Sequence, residues 1–151
     1  MSRIISFRGQ IEDGGQETVA LQTNNGLIGY RITKFDLLPN LTGAINAELV
    51  CKIYSVPQAA INGDVNFSEN TLLAVGYFKI HQDASTGSNE GSQNYAVIFD
   101  NVTFNQDIYI TAKDVANANV TNYHLELEQV KLSLDEQTVA TLKDIRNTGT
   151  Q

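Results

Sequence analysis

Apolar and polar residues alternate in short runs from almost the first position, each run rich in Val, Ile, Tyr, Phe or Thr and closed by Asn, Gly or Asp. Residues 123–128 show it most clearly: Tyr123, Leu125 and Leu127 point one way, His124, Glu126 and Glu128 the other. A strand turns successive side chains to opposite faces, so such a segment is dry on one side and wet on the other.

The same rhythm predicts a strand over Ile4 to Ile11, with Ile5, Phe7 and Ile11 on one face, and then a turn at Asp13-Gly14-Gly15. Glu17 to Thr23 follows with Val19 and Leu21 inward, and Asn24-Asn25-Gly26 is a hairpin-type turn leading into Leu27 to Leu37. There Ile28, Tyr30 and Ile32 share a face until the phase changes at Lys34-Phe35, which predicts a bulge or a passage between sheets. Ala47 to Val56 is apolar on both faces, Leu49, Cys51 and Ile53 against Val50 and Tyr54, as in a central, doubly covered strand or an interface. Ser55 to Ile61, with Pro57 near its start, is expected to form one helical turn.

Thr71 to His81 is again two-sided, Leu72, Ala74, Phe78 and Ile80 opposing Leu73, Val75 and Tyr77. His81 to Asn94 is almost wholly polar and reads as an exposed loop. Tyr95 to Phe99, Gln106 to Ala112 and Tyr123 to Leu134 complete the strands, with a polar connection over Val115 to Asn122. In 135–151, Val139, Leu142 and Ile145 recur at intervals of three, which suits a short helix capped by Asp135 or an extended arm.

Eight or nine strands without a long helix between them exclude parallel crossovers and leave antiparallel pairing. The expected fold is all-β: a single domain over 1–151, an antiparallel two-sheet sandwich of jelly-roll or related Greek-key type, with at most a short C-terminal helix over 135–151.

Composition narrows the function classes. Seventeen acidic against ten basic side chains give a net charge of −7, which disfavours phosphate backbones, and neither Arg3 with Arg8 nor Lys143 with Arg146 makes a basic stripe. Nucleic acid is not an expected partner. The first ten residues do not form a signal peptide and no run is long enough to span a membrane, so the expectation is a chain made and kept in a cytosol. Asn-x-Ser/Thr triplets at Asn40, Asn66, Asn101 and Asn119 then carry no glycan information.

The search for chemistry finds no catalytic, cofactor-binding or metal set. Cys51, the single cysteine, sits in a strand-like run and reads as a buried, unreactive thiol. His81 and His124 are far apart and read as solvated. Phosphate-loop glycine spacings and a GxSxG elbow are missing. Glu126 and Glu128 share a strand face about 7 Å apart, which would suit two-carboxylate hydrolysis, though alternating Glu is the ordinary way to keep a sheet wet. Asn62 to Asp64 and Asp100 to Asn105 are loops with the oxygen content, but not the spacing, of a calcium loop.

Four phrases stand in order along nearly the whole chain: 22–32 (QTNNGLIGYRI), 99–110 (FDNVTFNQDIYI), 125–130 (LELEQV) and 138–147 (TVATLKDIRN). Together they resemble small proteins encoded beside structural genes in marine tailed bacteriophages, a group taken to be virion components. The resemblance implies a non-enzymatic, capsid-associated role in the virion, as a decoration (cement) or minor head protein assembled in the host cytoplasm. Its partners would be the major capsid protein or other virion proteins and its own copies, as a trimer by preference or a lattice-templated array. The rival class is a carbohydrate- or receptor-binding module in which Tyr30, Tyr54, Tyr77 or Tyr109 supplies a stacking platform and residues 81–94 a rim.

Overall fold

The computed structural model describes residues 3–21, 27–41, 46–82, 89–99 and 102–132. Eight strands run β1 (Arg3–Ile11), β2 (Gln16–Val19), β3 (Ile28–Pro39), β4 (Asn46–Tyr54), β5 (Leu72–Gln82), β6 (Asn89–Ile98), β7 (Ile108–Asp114) and β8 (Thr121–Lys131). They form two antiparallel sheets, a three-stranded one ordered β1-β8-β3 and a five-stranded one ordered β2-β7-β4-β5-β6. This is the β-sandwich that the alternation predicts. The tail at 135–151, the turn at Asn24 to Gly26 and Asp100 with Asn101 lie outside the described residues.

The core fills the space between the sheets. Leu125 and Leu127 of β8 meet Leu49, Cys51 and Ile53 of β4 and Ile108 and Ile110 of β7, together with Tyr30, Ile32, Phe35 and Leu37 of β3. Each fully buried aliphatic side chain contributes roughly 1.5–3 kcal/mol. Close packing also explains Gly76 on β5: a Cβ there would lie 2.9 Å from the Phe35 ring. The phase change read at Lys34-Phe35 is a bulge, because pairing with β8 jumps from Ile32↔Leu127 to Lys34↔Glu126 and leaves Thr33 unmatched.

Several expectations need correction. Residues 55–61 form no helical turn; they open a long loop, 55–71, whose backbone follows side-chain and backbone hydrogen bonds instead of an i→i+4 ladder. Leu72 does not share a face with Ala74, because a bulge between Ala74 and Leu72 leaves Leu73 over the core and places Leu72 with Tyr54 and Val75. The polar stretch is not all loop: β6 begins at Asn89, since its backbone pairing with β5 does not depend on apolar side chains. His81 accordingly lies within β5, its ring 3.5 Å from the Asn46 carboxamide oxygen.

The loop 55–71 accounts for the two-sided strands. Val56 of this loop is 1% exposed, and Tyr54, Leu72 and Val75, with Phe99 packed against them, form a small second core on the outer face of the five-stranded sheet. Thus β4 is a central strand covered on both faces by its own chain, which resolves one of the alternatives left open by its sequence.

Candidate interaction surface

β6 is an edge of the wider sheet, and β3 of the facing sheet lies against it as well as against β5. Its middle is nonetheless wet on both faces: Gln93, Asn94, Tyr95 and Ala96 are all exposed. On the outer face of that strand, Tyr95, Val97 and Phe99 follow one another at the two-residue repeat, each about 7 Å from the next. Tyr95 is 56% exposed and lies against Tyr77 of β5 with ring centroids 5.2 Å apart. Phe67, 58% exposed, reaches over from the 55–71 loop and meets Phe99 edge to face at 5.1 Å. Two aromatic pairs therefore form a stripe along the outer face of β5 and β6.

The stripe has a fixed base. The Tyr77 hydroxyl donates to Glu48 at 2.7 Å, and burial together with that carboxylate pushes its pKa up to about 12. The loop carrying Phe67 is held from below by Lys52, whose ammonium donates to the Asp64 carbonyl at 2.6 Å and to Asn62 Oδ1 at 3.3 Å. Burial pushes the pKa of Lys52 down, and Asp64 partly offsets this. Asn66 further tightens the loop by accepting from the Ser68 amide at 3.0 Å.

A second feature lies on the outer face of the three-stranded sheet. Arg8, His124 and Asp36 form one cross-strand row there, and Gln10, Asn122 and Leu38 the next. Between the flanking rows, Asn122 and His124 floor an open depression of about 570 Å³. Glu126 and Glu128 continue along the same face of β8, and Glu128 is taken by Arg31 at 2.7 Å. His124 is half-buried on this polar face, as its alternation with Leu125 predicts.

The remaining sequence candidates separate cleanly. Cys51 lies in the core, where burial pushes its thiol up to about 12 and keeps it protonated at neutral pH. Tyr30 and Tyr54 are buried, one stacked on Phe104 in the main core and the other beneath the loop, so neither is a stacking platform. Tyr109 is half-buried beside Tyr54, and Tyr77 lies within the stripe. At Asn62 to Asp64 the loop oxygens already hold a cation, the Lys52 ammonium, in place of calcium. Phe67, Tyr95 and Phe99 were not singled out by the sequence. The signal that would have found Tyr95 and Phe99 is the sharp change from an apolar-free run at 85–94 to the alternation of 95–99, whereas Phe67 has no such signal.

Among the described residues, no three His, Cys, Asp or Glu side chains are grouped to hold a metal ion. No family model matches the chain, and no curated protein matches its sequence.

Proposed function

We propose that this chain is a non-catalytic structural protein of a tailed-phage particle. It attaches to the capsid shell, or to other virion proteins, and stabilises the particle as a decoration (cement) or minor head protein. The observation that carries the reading is the stripe Phe67–Phe99 and Tyr77–Tyr95, two aromatic pairs whose Phe67 and Tyr95 rings the described residues leave more than half exposed. Exposed apolar patches with polar rims mark interaction sites, and aromatic side chains are enriched at the centre of such sites. The four sequence phrases that resemble virion components supply the kind of partner.

The proposed mechanism is passive. The sandwich core gives a rigid body, the Lys52-anchored loop sets Phe67 in place, and docking removes the stripe from water. Co-sedimentation of the purified chain with capsids that lack it tests this. Saturable binding is the expected result, and a chain that stays in the supernatant at every concentration would sink the reading.

A carbohydrate-binding role is the second reading, favoured by the exposed Tyr95 ring and by the depression lined with Arg8, Gln10, Asn122 and His124. An open ring suits stacking on a sugar, and the depression, on the outer face of the other sheet, is a separate candidate site. Specific, saturable binding on a glycan array would favour it over capsid attachment.

A further inference from the structure

We propose that the free edge of β6 is the place where a second copy of this chain adds, strand to strand, about a two-fold axis near Asn94 and Tyr95. The two five-stranded sheets would then continue as one.

The inference starts from a comparison of the four sheet edges. A free edge presents unpaired amides and carbonyls and is ordinarily blunted by charge, proline, a bulge or shortness. β2 is only four residues long. β1 carries exposed Arg3 and Arg8. β3 carries exposed Lys34 and Asp36, a bulge at Thr33 and a terminal Pro39, and its Tyr30 backbone is already paired with Phe104 at 2.7 and 3.0 Å. β6 carries such devices only at its start, where Glu90 lies in a bulge between the Gln82↔Asn89 and Ile80↔Ser92 pairs. From Ser92 to Ile98 it has no proline and no charge, and its pairing with β5 runs without a break. Among the described residues nothing pairs with its outer side.

Three arguments make the occupant a second copy. A bare edge recognises only another extended strand, so the partner must bring one. Over 91–98 the edge is uncharged in a chain of net charge −7, so it has no electrostatic means of selecting a charged partner, and it is where two acidic copies meet with least repulsion. A two-fold at Tyr95 also sets the two Tyr95 rings opposite each other on one face, with Val97 and Phe99 of each copy running outward in opposite directions, so that the two stripes join end to end. The pair is expected of the free protein and does not depend on capsid attachment.

Sedimentation of the purified full chain, from micromolar to millimolar concentration, should show a reversible monomer–dimer equilibrium that strengthens as salt screens the net charge. Amide exchange at 93–97 should slow as the dimer fills. Ala96→Lys adds an ammonium at an exposed position on the inner face of the edge strand and should weaken the dimer by about ten-fold or more, with an unchanged circular dichroism spectrum. Gln93→Lys, on the opposite face, serves as the second variant, and the exchange measurement needs no variant at all. A monomer at all concentrations would overturn the proposal, as would a dimer or trimer in which residues 93–97 exchange at a rate independent of concentration. Capsid co-sedimentation is scored separately, so failure of one reading leaves the other standing.

Discussion

Lys52 donates its ammonium to the carbonyl oxygen of Asp64 at 2.6 Å, from a position beneath the loop that Asp64 belongs to. The lysine is 5% exposed, on a central strand, with its charge 5.8 Å from the Tyr54 ring centroid. A buried cation thus fastens the 55–71 loop to the sheet, and that loop carries Phe67. Lys52→Met keeps most of the aliphatic stem but leaves two oxygen acceptors without their donor. A loss of about 1–2 kcal/mol is expected by urea denaturation, with faster amide exchange confined to 56–70. Equal loss of protection across β4 and β7 would show that Lys52 supports the sheet and not the loop.

Asp114 has the corresponding role for the connection 115–120 between β7 and β8. It is 2% exposed and accepts hydrogen bonds from the amides of Glu48, Ala116, Asn117 and Asn119 and from the Asn119 side chain at 2.7 Å. Burial alone would raise its pKa, but these donors outweigh it and hold the carboxyl below its ordinary 3.8. A depressed carboxylate contributes stability that is present above the unfolded-state pKa and is lost as pH falls through the folded one. Asp114→Ala should cost about 3 kcal/mol at neutral pH, with Asp114→Asn milder because one acceptor remains. The gap between wild type and Asp114→Ala should narrow below pH 3.8 in acid denaturation curves. A gap that stays constant into strong acid would contradict the assignment.

Particular residues show how much of this was legible in the sequence. Leu125 and Leu127 alternate with Glu126 and Glu128, and the structure buries the former and half-exposes the latter. The bulge at Thr33 was visible because it shifts an apolar phase, from Ile32 to Phe35. The bulge at Leu73 was hidden: its neighbours are apolar on both sides, so a slip leaves the pattern unchanged. Residues 89–94 concealed a strand for the opposite reason, since a run without apolar residues has no alternation to read. Lys52 looked like an ordinary polar face residue, because its burial comes from a loop that begins only after Tyr54 and carries no regular structure. The stripe depends on the same long-range placement: Phe67 and Phe99 are thirty-two positions apart and meet only once the loop folds back over the sheet.

Two tyrosine–carboxylate pairs give the protein a limit in alkali. Tyr77 donates to Glu48 at 2.7 Å and Tyr123 to Glu17 at 2.8 Å, and in both cases burial first and the carboxylate second push the phenol upward. The folded state therefore keeps these protons after the unfolded chain has released them. Stability from the Tyr77 pair is full below the ordinary value of 10 and is lost as pH rises towards about 12. Thermal melts should show Tm falling across that window. Tyr77→Phe should lower Tm modestly at neutral pH and flatten the fall, and Tyr123→Phe should flatten it further. A Tm that is level to pH 12 in the native chain would refute the linkage.

The aromatic stripe separates stability from function more sharply than any other part of the molecule. Phe67 and Tyr95 are each more than half exposed, and each has one aromatic partner. Exposed positions away from the core usually change stability by less than about 0.5 kcal/mol, whereas an aromatic anchor at the centre of an interface costs about 2 kcal/mol or more on truncation. Phe67→Ser combined with Tyr95→Ser should therefore leave Tm near that of the native chain and reduce capsid co-sedimentation by at least about ten-fold. Leu127→Ser is the control in the other sense: fully buried against β4 and β7, it should unfold the sandwich and abolish binding and melting transition together. Capsid binding that survives the double substitution in a folded protein would move the attachment surface elsewhere, and the depression between Arg8 and Asp36 would be the next face to test.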